Sequence, residues 1–503
     1  MGRIERMQTL QYQTVIIGSG FAGRTVASYL PEGSYVILER GEDRDHGETI
    51  KRYQAARDRG MRDFDAEALA FKSDRPWNRF DRLSKFCYSQ FAMVRGGSSN
   101  WWGGKSSRFS TEVFRSQEGL PWPLSQDEME PFYRLAERRL NISGDPLLGQ
   151  SREAAPIEGA AVWRTAFAPH LQPSHLYAVA VSKNDSLGAP TGQGTCVGRG
   201  HCAVCKEDAK ARPDNRFMPM NILYDAYVVE IEFDGDRATG VVFFDGKQTI
   251  RVECERVVVA ANGVETPRLL ARSELPSGVN AGSLGRFCQD HAHLEIDCWI
   301  PKALPQGAVG ALSHVQVQEL SRMYETPLGA IETSALALTH GPGHRALSQA
   351  LQPHWAKRGG AAAIRKGLAG TFKIFVELEN LAQIDARIEL ESEVAAIHDE
   401  GYSHLIPHFD RITDDMCATL GRQGVTVLAT HRYFRSGYGG HHFVGTTNWS
   451  RSEHNMMEDD GRLGGTSNVY VAGSSVIPRS GGVAPTLTLV ALAERLGQHL
   501  ASD

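Results

Sequence analysis

Three glycines and one acid carry the first readable chemistry of the chain. In TVIIGSGFAGRTVASYLPEGSYVILERG, residues 14–41, an apolar β-branched run (Val15, Ile16, Ile17) meets Gly18, Gly20 and Gly23, and a second apolar run ends in Glu39 and Arg40. Gly18 permits a tight turn, Gly20 lets backbone N–H groups approach a pyrophosphate, and Gly23 lets the following helix pack close to the strand. The positive end of that helix dipole then faces the phosphates. Glu39 closes the second strand where a carboxylate accepts hydrogen bonds from both hydroxyls of an adenosine ribose. A 2′-phosphate would be repelled there, which disfavours NADP. FAD and NAD present the same ADP half to this unit, so the glycines leave that choice open.

Two other stretches have residue types that could bind or react. In FAMVRGGSSNWWGGK, residues 91–105, four glycines flank Ser98, Ser99, Asn100, Trp101 and Trp102. Such a loop lets backbone come close to something flat or phosphorylated, and two tryptophans in a turn are costly unless they pack on something. In CVGRGHCAVCKEDAKA, Cys196, Cys202 and Cys205 cluster at a glycine-rich turn, where three thiols would suit a soft metal. The other five cysteines, Cys87, Cys254, Cys288, Cys298 and Cys417, are scattered and read as buried or semi-buried thiols. Eight cysteines in 503 residues are too few for a disulfide scaffold.

The elements that must position these residues follow from periodicity and turn chemistry. Residues 14–39 read as strand, glycine turn, helix, strand. A polar segment follows, with short helices around Ile50 to Arg57 and Ala66 to Phe71, and reads as an insertion or lid over residues 46–85. Apolar residues at helical spacing predict a supporting helix over Gln126 to Leu140. YVVEIEFDGDRATGVVFFDGKQTIRVE, broken by Asp-Gly pairs, predicts β-hairpins. Val257 to Ala261 reads as a buried parallel strand, followed by a turn at Asn262 and Gly263 and a helix bearing Leu269 and Leu270. Residues 292–431 offer further strands and suit an antiparallel sheet with helical cover. The last block, from Thr466 to Leu500, repeats strand, Pro and Gly turn, and amphipathic helix.

The predicted architecture is therefore α/β: a doubly wound, Rossmann-like nucleotide domain with an antiparallel-sheet substrate domain. The nucleotide domain draws on residues 10–45, 86–110, 190–291 and 436–503, and the substrate domain with its cover on 111–189 and 292–435.

The chain is long enough for two or three domains, and its 41% hydrophobic and 22% charged content is ordinary for a globular protein. A formal net charge of −5 gives no electrostatic case for nucleic acid or an anionic membrane. No apolar run approaches the roughly 18 residues a membrane helix needs, and MGRIERMQTLQYQ has no signal-peptide core. A cytoplasmic protein acting on small molecules is the expectation.

Five blocks in order make the chain resemble the glucose-methanol-choline (GMC) oxidoreductases, flavoenzymes that oxidise alcohols. The blocks are GSGFAG with Glu39, GGSSN at Gly96 to Asn100, VVVAANGVETPRLL, HHFVGTT at His441 to Thr447, and NVYVAGSSVIPRSGGVAPTLTLVALAERL. The resemblance implies FAD as the cofactor. By it, Gly97, Ser98 and Asn100 line the flavin and its phosphates, Val228 and Ala260 belong to the nucleotide site with Val228 at the adenine, and Gly473 and Ser474 approach the pyrophosphate and ribityl chain. Pro485 and Thr486 open the last helix at the flavin pyrimidine, where a helix N-terminus stabilises the charge of a reduced flavin. The resemblance also makes His442 the catalytic base, with His441 beside it.

Two departures stand against the family pattern. The family commonly has a second histidine or an asparagine where this chain has Ala484, and alanine neither accepts a proton nor donates a hydrogen bond. Either His441 or another side chain then holds the substrate oxygen, or the reaction is not ordinary alcohol oxidation. The cysteine segment resembles that of bacterial sugar and gluconate dehydrogenases, some with a three-iron cluster. Here the last gap is one residue shorter and no proline follows Cys205, so the expectation is no metal, with an iron–sulfur cluster on Cys196, Cys202 and Cys205 as the alternative. The expected substrate is an alcohol on a sugar, glycoside or polyol, with Trp101 and Trp102 as stacking faces for the sugar. Oxygen or another electron acceptor would complete the cycle. The rivals are a tailoring flavoenzyme of natural-product biosynthesis and a non-catalytic FAD-binding or electron-transfer subunit.

Overall fold

The structure is a computed structural model. It describes residues 8–61, 63–73, 75, 91–102, 106, 108–117, 119–140, 142, 176–178, 202–204, 212, 217, 220–299, 313–316, 328–335, 371–391, 396–398, 405–422, 424–433 and 442–502.

Among them, seven strands form the nucleotide-side sheet: β1 (Gln8–Ile17), β2 (Tyr35–Leu38), β4 (Ile222–Leu223), β5 (Tyr227–Asp234), β6 (Arg237–Phe244), β7 (Thr249–Val259) and β15 (Val469–Val471). The order runs β4-β2-β1-β7-β6-β5, and β15 lies beside β7. β1 is parallel to β2 and β7, β2 to β4, and β15 to β7. β5, β6 and the first half of β7 form the antiparallel meander that the Asp-Gly pairs predict. The long β7 thus has β6 along its beginning and β15 along its end.

Side-chain alternation makes the parallel sheet buried on both faces. Ile16, Ile37 and Val258 share a register row and pack against Ala22 and Val26 of α1 (Phe21–Ala27) and Ala493 and Leu496 of the last helix, α8 (Thr486–Ser502). Val15, Ile17, Val36, Leu38, Val257 and Val259 face the other way, into a core shared with Met129 and Tyr133 of α5 (Gln126–Leu140) and Leu269 and Leu270 of α6 (Asn262–Arg272). Each such aliphatic side chain contributes roughly 1.5–3 kcal/mol. The polar segment after Glu39 holds α2 (His46–Asp58) and α3 (Asp63–Ala70), and a short α4 (Thr111–Arg115) precedes α5.

Six strands form a second, antiparallel sheet: β3 (Leu176–Ala178), β8 (Ala292–Trp299), β9 (Ser313–Gln316), β10 (Leu328–Ala335), β11 (Thr371–Leu378) and β14 (Thr426–Tyr433), in the order β14-β8-β11-β10-β9-β3. A small ribbon pairs β12 (Arg387–Ile388) with β13 (Ile397–His398). α7 (Ile406–Arg422) covers β14, burying Phe409 and Ile412. Of the scattered thiols, Cys288 and Cys298 are buried and Cys254 and Cys417 half-buried, while Cys87 lies outside the described residues. Among the described residues no helix is long and apolar enough to cross a membrane.

The two sheets meet where residues 285–291 run beside residues 442–446. Gln289 and Val444 exchange backbone hydrogen bonds at 3.1 Å each, and Gly285 N donates to Thr446 O at 2.8 Å. β8 starts directly after this crossing, and α6 starts close to it: a Cβ on Gly263 would lie 2.1 Å from Phe443 O.

Candidate active site

A cavity of about 540 Å³ runs from the glycine turn to the crossing of the two sheets. At its nucleotide end, Gly18 adopts φ +108°, and a Cβ there would meet Ala260 O at 2.5 Å. A Cβ on Gly23 would lie 2.1 Å from Gly18 O, the close helix packing that the third glycine implies. Gly23 therefore shapes the turn from behind and does not line the cavity, whereas Gly18, Gly20, Phe21 and Ala22 do. Glu39 is buried in the wall: Oε2 accepts from Ser19 N at 2.9 Å and Ser19 Oγ at 2.5 Å, and Oε1 accepts from Gly41 N at 2.7 Å. A carboxylate has about four acceptor positions, so this geometry fixes Glu39 and still leaves it capacity.

Arg40, Ala260 and Val228 line the same end. Arg40 lies 4.5 Å over the Tyr227 ring and 3.5 Å from Glu265. Burial lowers its guanidinium from the usual value, against the opposing pull of the Glu265 carboxylate.

The GGSSN block forms a single 3₁₀ turn, Gly97–Asn100. Gly97 and Ser98 line the cavity, as does Ser99, whose Oγ accepts Phe21 N at 2.9 Å and so ties this turn to the glycine turn. Asn100 differs from the expectation. Its amide donates to Arg95 O at 2.8 Å and Gly97 O at 2.9 Å, and its Oδ1 faces Arg212 Nη1 at 3.4 Å. These partners hold its side chain within the loop, and Asn100 is not among the residues that line the cavity. Trp101 and Trp102 both reach the wall, Trp101 packed on Phe71 and Trp102 edge-on to Phe21.

Gly473, Ser474, Ala484, Pro485 and Thr486 supply the wall from the β15 side, and Thr486 opens α8 there with the unsatisfied N–H groups of a helix start. His442 and His293 also line the cavity, as does Ala484. His442 is held by its own backbone, N to Asp290 Oδ1 at 2.8 Å, and by its ring, Nδ1 to His291 Nδ1 at 3.1 Å. Asp290 and His291 are fully buried, and Asp290 Oδ1 also accepts His291 N at 2.8 Å. His441, Cys196, Cys205 and the side chain of Cys202 lie outside the described residues. Asp290, His291 and His293 escape the reading by motif. Their only local signal is QDHAH, three titratable residues at the start of a buried strand, Asp290 and His291 just before β8 and His293 within it.

Two stretches of the chain, residues 177–293 and 348–493, match the GMC oxidoreductase family. The protein is a GMC oxidoreductase. Among curated proteins this oxidoreductase is 24% identical to the fructose dehydrogenase large subunit of Gluconobacter japonicus across 99% of both chains. It is also 24% identical to 6'''-hydroxyparomomycin C oxidase of Streptomyces lividus, over 98% of this chain and 92% of that one. Its fold is similar to that of pyridoxine 4-oxidase from Mesorbium loti, with a TM-score of 0.63 at 15% identity, over 98% of this chain and 99% of that one.

The family binds FAD, and the chain is an oxidoreductase of that family. The cavity fits that cofactor. Its volume lies in the usual range of roughly 300–1,000 Å³ for small-molecule sites. Gly20, Gly97 and Gly473 leave backbone bare along the wall: a Cβ would meet nothing nearer than 3.3, 3.9 and 3.6 Å respectively. Glu39 and the start of α8 both line it, a carboxylate to accept hydroxyl donors and bare N–H groups to face negative charge.

Proposed function

We propose that the enzyme oxidises a CH–OH group on a sugar, glycoside or polyol to a carbonyl, with His442 taking the hydroxyl proton. The observation that supports this most is that His442 and His293 line the same cavity as the glycine turn and Glu39. Bound FAD supplies the acceptor for the hydride that leaves the carbinol carbon. The chain does the rest. Gly18, Gly20 and Glu39 hold the ADP half, Val228 meets the adenine, and the first turn of α8 offers N–H groups where negative charge collects. His442, whose imidazole can accept a proton, removes it as the bond to hydrogen breaks. Ala484 offers the substrate oxygen nothing, and His293, brought into the wall by β8, supplies the second polar contact. Trp101 and Trp102 give flat faces to a sugar ring. Two near full-length relatives, the fructose dehydrogenase large subunit and 6'''-hydroxyparomomycin C oxidase, agree with a sugar-like substrate.

The test is anaerobic mixing of the FAD-loaded enzyme with sugars, glycosides and polyols while flavin absorbance is followed, then admission of oxygen. Bleaching by one of these classes is expected, and its absence with all of them would overturn the reading. Reoxidation on admitting air separates oxygen from another acceptor. A narrower reading, tailoring of an aminoglycoside-type natural product, draws on the near full-length likeness to 6'''-hydroxyparomomycin C oxidase and on Ala484. Bleaching by aminoglycosides alone would select it.

A further inference from the structure

We infer that His291 is a positioning residue that fixes the tautomer of His442, so that His442 presents Nε2 as its unprotonated nitrogen. This rests on the reading of His442 as the proton acceptor and adds how the acceptor is kept ready. The argument starts from Ser480, whose carbonyl oxygen lies 3.3 Å from His291 Nε2. A carbonyl only accepts, so His291 Nε2 carries the hydrogen. His291 is fully buried, which disfavours its charged form, and a neutral imidazole has one N–H. Its Nδ1 is therefore an acceptor. The partner at 3.1 Å is His442 Nδ1, which must then be the donor. Neutral His442 has spent its one hydrogen on this bond, and its lone pair sits on Nε2.

The anchor of this chain of hydrogen bonds is rigid. Ser480 N faces Gln289 Oε1 at 3.3 Å, Gln289 Nε2 donates to Pro478 O at 2.8 Å, and Gly481 N donates to Glu379 Oε1 at 3.2 Å. Both histidines also donate their backbone N–H to the same oxygen, Asp290 Oδ1, which fixes the two rings against each other. When His442 Nε2 takes a proton, the Nδ1–H bond to His291 persists unchanged. The imidazolium is thus formed with its second hydrogen already satisfied, and no ring flip is required. His291 acts on the substrate only through His442.

The experiment is histidine-selective ¹⁵N NMR of the FAD-loaded enzyme without substrate, with the His442 signals identified by their loss in His442→Ala. At neutral or higher pH, wild type should show His442 protonated at Nδ1 and bare at Nε2. In His291→Leu, which has no acceptor, His442 should move toward the Nε2–H tautomer, and flavin reduction should slow roughly 10- to 100-fold, the usual cost of losing an orienting partner. KM should change little. His291→Asn puts an amide oxygen close to the position of Nδ1 and should restore both the tautomer and most of the rate. His442 found in the Nε2–H form in wild type would overturn the inference, and this measurement needs no variant to fold. An unchanged tautomer in folded His291→Leu would overturn it too. If the tautomer is as stated but no alcohol bleaches the flavin, it is the proposed function that fails.

Discussion

Arg479 and Glu379, 100 residues apart, close a two-pronged ion pair, Nε to Oε1 at 2.9 Å and Nη2 to Oε2 at 2.8 Å, with side-chain exposures of 2% and 0%. The pair ties the loop between β15 and α8 to the end of β11, so it joins the FAD side of the cavity to the second sheet. Removing one partner leaves a buried charge without its counter-ion, at a cost of about 3–5 kcal/mol. Arg479→Met or Glu379→Leu alone should lower stability by that amount in urea titrations of the apoprotein. The double variant should lose less than either single change, since no charge is left buried. Equal or greater loss in the double variant would show that the loop depends on the shape of the pair and not on its charge.

Gly20 and Gly23 should fail in different ways. A Cβ on Gly23 would collide with Gly18 O, so Gly23→Ala should damage the fold itself. A Cβ on Gly20 meets Ser99 Oγ at 3.3 Å and Gly96 O at 3.8 Å, contacts the protein can accommodate, while the bare backbone along the cavity wall is lost. Gly20→Val should be folded by circular dichroism yet colourless after purification. Full FAD content in folded Gly20→Val would remove the turn from the cofactor site.

The dinucleotide unit is legible in the sequence because each of its parts is local: strand, turn, helix and acid follow one another, and each glycine answers a backbone approach. The far end of the site is not. His291 and His442 are 151 positions apart, and nothing in QDHAH or HHFVGTT says that the two rings touch. That contact sits beside an isolated bridge between Gln289 and Val444, outside both sheets. Asn100 shows the limit within a motif. A polar side chain in GGSSN can serve the ligand or its own loop, and the nearby carbonyls of Arg95 and Gly97 decide for the loop. Residues 292–431 read from composition as an antiparallel sheet with helical cover, and the described strands there are antiparallel, but nothing in the sequence places the covering helix α7 at Ile406–Arg422. Its packing on β14, through Phe409 and Ile412, is a tertiary fact.

His442→Ala should reduce its flavin roughly 10²- to 10⁴-fold more slowly than wild type, the usual worth of a positioned base, with FAD content unchanged. His293→Ala should mainly raise KM, because the lost contact is to the bound substrate oxygen. Stopped-flow reduction at several substrate concentrations separates the two effects. A near wild-type rate in His442→Ala would move the proton acceptor elsewhere.

Burial pushes the Cys254 thiol up to about 12, with Arg251 and Arg237 pulling the other way. It also raises the Cys298 thiol, helped by the neighbouring Asp297 carboxylate. An ordinary thiol has a value of ~8.5, so at pH 8 roughly a quarter of it is thiolate, against ~10⁻⁴ for Cys254. Brief iodoacetamide treatment of the native enzyme at pH 8 should therefore leave Cys254 and Cys298 unmodified in peptide mass spectra, while urea-unfolded chain is alkylated at both. The same shift sets a sign for alkaline stability. The folded state holds the Cys254 proton more tightly than the unfolded state does, so its contribution is complete below ~8.5 and is lost as pH rises toward 12. Between pH 8 and pH 10 this one thiol should cost the wild type ~1–2 kcal/mol that Cys254→Ala does not lose. If the two proteins lose stability in parallel over that range, Cys254 is not protected as its burial requires.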